Sequence, residues 1–116
     1  MTKSEFLKKY PEGKKFNVLG KTYTLHYDAE ECTDNDANGL CEYYSNEIII
    51  VDPDEPFRSK NSYKNIDQWF KKVIRHELVH AFLYEMGLEK YASDEILVNA
   101  LAIKMPELSE LMKQVI

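Results

Sequence analysis

Near Ile66 the spacing of apolar residues changes, and no other feature restricts the fold as much. Upstream, Phe16 and Val18 alternate with polar neighbours, and Tyr23, Leu25 and Tyr27 lie opposite Thr22, Thr24 and His26, the period of two of a half-buried strand. Downstream, Trp69, Phe70, Val73, Ile74, Leu78, Ala81, Phe82 and Leu83 recur at three and four, the broad apolar stripe of a helix. Sheet face and helix stripe must each be buried, and strands grouped ahead of helices pack as an α+β domain. A chain of 116 residues is one domain by length, and such a length buries roughly two-thirds of its unfolded surface. The expectation is therefore one domain spanning 1–116, with a small twisted β-sheet packed on a long helix and a second helix beside it.

The pattern predicts the elements in turn. "SEFLKKY" reads as a short amphipathic helix with Phe6, Leu7 and Tyr10 on its apolar side, closed by Pro11 and Gly13. A β-hairpin follows, turning at Asn17 to Gly20. The polar stretch from Glu30 to Gly39 reads as a loop. Two more strands meet about Ser45-Asn46: Cys41 to Tyr44 nearer an edge, and Ile48 to Val51, which lacks alternation and so suits a strand buried on both faces. "DPDEPF" ends the sheet region. The long helix starts at about Ile66, capped by Asn65 or Asp67, and closes at Gly87. Ser93 reads as the N-cap of the next helix, which should stop or kink at Pro106 before "PELSELMKQVI" restarts.

Composition narrows the function classes. The net charge of −5 argues against nucleic acid or an anionic lipid surface as partner. No stretch approaches the roughly 18 apolar residues of a membrane span, and the basic N-terminus lacks a signal-peptide core. A cytoplasmic monomer is the expectation. Cys32 and Cys41 lack the paired spacing of a zinc knuckle and read as free thiols, although a hairpin would let them approach each other.

Two of the three histidines fall in "IRHELVHAFLYEMG", with His76 and His80 four apart and Glu77 between them. On a helix that spacing sets both imidazoles on one face about 6 Å apart along the axis, so both can reach one ion. Glu77, on the adjoining edge, can reach a water on that ion without ligating it. A catalytic site wants a third protein ligand, and no histidine or cysteine follows His80. His26 belongs to the hairpin. Of the acids downstream, Glu85 and Glu89 follow too closely for the chain to turn back. Asp94, Glu95, Glu107 and Glu110 lie further on. Glu95 stands in the first turn of the returning helix, with Asn99 four residues later placed to accept the ring N–H of a ligating histidine. Asp94 suits a favourable charge at a helix start, a role that also stands as the alternative for Glu95.

"RHELVHAF" followed by "DEILVNALAIKMP" resembles the ImmA/IrrE-type zinc metallopeptidases and related minimal gluzincins, with Glu95, Val98, Asn99, Leu101, Ala102, Met105 and Pro106 fitting their pattern in order. "EYYSNEIIIVD" looks like the strand pair that precedes their active helix. The resemblance covers roughly residues 40 to 106. It implies a zincin-like fold, one Zn²⁺ per chain held by His76, His80 and Glu95, Glu77 as general base, and hydrolysis of a peptide or protein substrate. It matches no specific transition-state donor; Tyr84 and Tyr91 are near enough in sequence, but each suits core or surface equally well. A substrate strand added at the Tyr43-Tyr44 edge is a further expectation. Two other readings stay open: a zinc-containing domain, inactive or latent, that binds a partner, and a metal-free domain in which Glu77 and the histidines form a hydrogen-bonded core cluster.

Overall fold

The structure is a computed structural model describing residues 3–51 and 66–116. Its elements in order are α1 (Lys3–Lys9), β1 (Lys14–Val18), β2 (Lys21–Tyr27), α2 (Ala29–Asp34), β3 (Gly39–Glu42), β4 (Glu47–Ile50), α3 (Ile66–Glu85), α4 (Glu89–Ala92) and α5 (Glu95–Val115). The architecture is α+β, with four strands in one mixed sheet of order β1-β2-β4-β3.

β1 and β2 form the expected antiparallel hairpin, with Val18 opposite Lys21. That register leaves a two-residue loop in which Leu19 and Gly20 have φ of 49° and 97°. Positive φ at both positions matches the right-handed twist of the strands it joins, and the Asn17 side chain accepts the Gly20 N–H at 2.9 Å. β4 runs parallel to β2, Leu25 facing Ile48, and antiparallel to β3, Gly39 facing Ile50. Ile48 to Val51 are all buried, as their unbroken apolar run predicts, and β4 accordingly takes one of the two inner places of the sheet, beside β2.

α3 lies between two apolar clusters. Phe70 and Ala81 join Tyr23, Leu25, Ile48 and Ile50 of the sheet, while Val79 and Leu83 meet Val98 and Ala102 of α5 and Ala92 of α4. At its start, Asp67 pairs with Lys71 and with Lys9 of α1, and accepts the Tyr10 hydroxyl hydrogen bond at 3.3 Å. At its end the Gly87 N–H donates to the Tyr84 carbonyl and the Leu88 N–H to the Leu83 carbonyl. Gly87 has φ of 85°, the left-handed closure that glycine provides without strain.

Several sequence expectations are corrected. The stretch read as a loop from Glu30 begins with α2, because the Asp28 side chain caps it by accepting the Glu31 N–H at 3.0 Å and Cys32 is fully buried beneath it. The edge strand ends at Glu42, and Tyr43 and Tyr44 lie in the turn, where Asn46 takes a positive φ of 56°. Phe82, placed in the apolar stripe, is 40% exposed. Asp94, not Ser93, is the N-cap of α5, accepting from the Ile96 and Leu97 N–H groups at 3.1 Å each. α5 also runs through Pro106 without stopping. Proline removes one backbone donor there, but the turns before it are packed on α3 and α4. Both cysteines are free, Cys32 buried and Cys41 half-buried. Asn65 and "DPDEPF" lie outside the described residues. No helix among the described residues is long and apolar enough to cross a membrane.

Candidate metal centre

α3 presents His76 and His80 on one face, as the four-residue spacing requires, and the α3–α4–α5 reversal brings Glu95 against them. Each offers one ligand atom, and the three atoms lie within 4.8 Å of one another. The His76 Nε2 is 3.0 Å from Glu95 Oε2, the His80 Nε2 is 3.1 Å from Glu95 Oε1, and the two Nε2 atoms are 3.1 Å apart. His80 is buried, His76 half-buried and Glu95 exposed.

The outer nitrogens decide what the inner ones can do. His80 Nδ1 meets the Ala92 carbonyl oxygen, which can only accept, so the ring hydrogen belongs on Nδ1 and the Nε2 lone pair faces Glu95. His76 Nδ1 donates to Asn99 Oδ1 at 2.9 Å, with the same effect. Two imidazole lone pairs and a carboxylate thus converge with no donor of their own between them. This is the electrostatic pattern of a cation site: outer partners fix tautomer and ring orientation, and acceptors point inward.

Glu77 is 5% exposed and lines the same cleft. Burial, reinforced by the neighbouring Glu95 carboxylate, pushes its pKa up to about 8, since a charged carboxylate in a low-dielectric site lacks hydration. β3 passes close beside it at Gly39. A methyl group built on Gly39 would come within 2.9 Å of Val73 Cγ1, 3.0 Å of Glu77 Cγ and 3.2 Å of Glu77 Oε2, so a side chain at residue 39 would displace the carboxylate or the strand.

The cleft has a volume of about 620 Å³ and runs from His80 along α3 to Trp69. One wall is β3, an edge strand whose outer side is unpaired by any described strand. Tyr43 closes one end: its ring stacks on Tyr84 at 4.2 Å and its hydroxyl donates to the Ala92 carbonyl at 3.3 Å, the same oxygen that receives His80. Cys41 also lines the cleft, and burial raises its thiol pKa, keeping it protonated.

Of the sequence-derived candidates, the fold brings together His76, Glu77, His80, Glu95 and Asn99. The others go elsewhere. Glu85 accepts the Tyr23 hydroxyl, Glu107 and Glu110 pair with Lys104 and Lys113, and His26 binds Glu12 at 2.7 Å. Asp94 is occupied as a cap, and Tyr91 is half exposed outside the cleft lining. Sequence reasoning missed Gly39 and the Ala92 carbonyl. A backbone oxygen carries no signal in a sequence, and the only mark of Gly39 is a glycine at the start of a strand, where none is needed for a turn. Compared with known proteins, the chain matches no protein-family model, no curated protein and no solved structure.

Proposed function

We propose that the protein is a zinc-dependent metalloendopeptidase with a zincin-like domain, hydrolysing a peptide bond in the cleft between β3 and α5. The observation that carries this reading is the convergence of His76, His80 and Glu95 with a buried carboxylate, Glu77, beside them. Two imidazole nitrogens and a carboxylate are a donor set that suits zinc and leaves one position open. Zinc bound by His76, His80 and Glu95 would supply a Lewis acid to polarise the scissile carbonyl and to acidify water.

The chain's own residues do the rest. Asn99 and the Ala92 carbonyl hold the two rings in the tautomer that presents Nε2. Glu77 accepts a proton from the attacking water at a carboxylate oxygen and delivers it to the leaving nitrogen, a transfer that works best when the base has a pKa near the working pH. The outer edge of β3, which no described strand pairs, is better suited than Tyr43-Tyr44 to receive an extended substrate through backbone hydrogen bonds.

The test is metal analysis of tag-free protein together with Glu77→Gln. One equivalent of zinc in both proteins, with turnover of a peptide library in the parent and none in the variant, is the expected result. Less than half an equivalent in the parent after zinc-supplemented expression returns the cluster to a hydrogen-bonded structural role. Zinc without turnover leaves the partner-binding domain.

A further inference from the structure

We infer that the cleft selects peptides by a carboxylate group held at Lys72 and Arg75, two to three residues from the bond positioned at the metal centre. This rests on the proposed peptide-binding role of the cleft but not on its catalytic competence.

The argument starts from the register of α3. Lys72, His76 and His80 are spaced by four and share one helical face, so Lys72 stands about 6 Å along the axis from His76, and its side chain tilts further toward the helix N-terminus. Arg75 lies one residue before His76, and both cations line the cleft along with Trp69, Val73, Ala102 and Ile103. Lys72 is exposed and Arg75 half-buried. Among the described residues neither has an ion-pair partner, whereas the adjacent Lys71 is paired with Asp67 at 3.3 Å.

In a chain with 20 acidic and 15 basic residues, two cations without a described ion-pair partner give this stretch of the cleft wall a local positive charge beside Glu77 and Glu95. Such a wall attracts an anion and orients it, arginine giving the planar fork that matches a carboxylate. The ligand is a peptide because the facing wall is β3, whose outer edge no described strand pairs. Extended chain advances about 3.3 Å per residue, so a group meeting Lys72 and Arg75 lies two or three residues from one at the histidines. Trp69, Val73 and Ile103 give the stem of that residue, or its neighbour, an apolar floor. The carboxylate can come from a Glu or Asp side chain or from the chain's C-terminus.

Zinc-loaded Glu77→Gln protein allows binding to be read without cleavage. The probe is a degenerate octapeptide pool with one fixed position, Glu or Gln, moved along its length, each pool with a free or an amidated C-terminus. Glu at one position, or a free C-terminus, should tighten binding about tenfold over its neutral counterpart, weaken with added salt, and lose that advantage in Lys72→Gln/Arg75→Gln with zinc content unchanged. The fixed-position and amide arms separate a side-chain carboxylate from a terminal one. Equal binding of acidic and neutral pools, no binding of any pool, or a preference that survives the double substitution would overturn the inference. Acidic peptides that bind but are not cut by the parent protein would instead remove the peptidase reading and leave the carboxylate site standing.

Discussion

At Gly39 the glycine answers a demand for space, not for backbone freedom. Its φ is ordinary, yet an added methyl would press on Val73 and on both Cγ and Oε2 of Glu77. The strand cannot simply retreat, because Gly39 is paired with Ile50 and the neighbouring Asn38 carbonyl accepts the Val51 N–H at 2.9 Å. Glu77 is therefore the group that moves. On the proposed peptidase reading, Gly39→Ala should keep zinc and fold but lower the cleavage rate by roughly tenfold or more, as small misplacements of a catalytic group do. Adding Val73→Ala relieves the 2.9 Å contact and not those with Glu77, so it should recover thermal stability without recovering rate. Recovery of both would show that the crowding falls on Val73 alone.

At the level of elements, the start of α5 performs two tasks with adjacent acids. Asp94 caps the helix through the Ile96 and Leu97 N–H groups, while Glu95, one residue on, turns to the histidines. The two roles separate by mutation. Asp94→Ala should cost about 1 kcal/mol of stability and leave zinc affinity nearly unchanged. Glu95→Ala should do the reverse, abolishing tight zinc binding with little loss of fold, and Asn99→Ala should weaken zinc by roughly 10–100-fold through the freed His76 ring. A competitive zinc titration beside thermal unfolding reads both quantities for all three variants. Zinc affinity in Glu95→Ala equal to the parent's would remove the carboxylate from the ligand set.

For the whole molecule, Glu77 makes the metal-free fold sensitive to pH. Folding raises this carboxyl from an ordinary 4.5 to about 8, so between those values the native state binds a proton that the unfolded chain has released. Stability from this group is complete below about 4.5 and is lost as pH rises toward about 8. Metal-stripped protein should thus melt at a lower temperature at the alkaline end of that window than at the acid end. Metal-stripped Glu77→Gln, neutral throughout, should show a flatter profile. The measurement is Tm against pH for the two proteins side by side. A parent profile as flat as that of the variant would mean that the buried carboxyl is hydrated well enough to ionise. Zinc binding at the His76, His80 and Glu95 group, as proposed, should stabilise the native state in addition, by mass action.

Local chemistry determined a good deal without help from the rest of the chain. The hairpin about Leu19-Gly20, the doubly buried run at Ile48 to Val51, the long helix closed by Gly87 and the pairing of His76 with His80 all follow from period and spacing within about twenty residues. Where several local solutions had similar energy, packing decided. Ser93 and Asp94 are both competent caps, and the helix start that buries Ala92 and Val98 against Val79 and Leu83 selects Asp94. Pro106 would end an isolated helix, but α5 is anchored on α3 before reaching it. The stretch after Asp28 reads as loop until Cys32 is seen buried at the sheet. The place of β4 between β2 and β3, the approach of Gly39 to Glu77 and the Ala92 carbonyl on His80 are relations between segments distant in sequence. Residue spacing fixes which side chains share a face of one element; only tertiary packing fixes which elements face each other, because that choice is set by total buried area and not by any local preference.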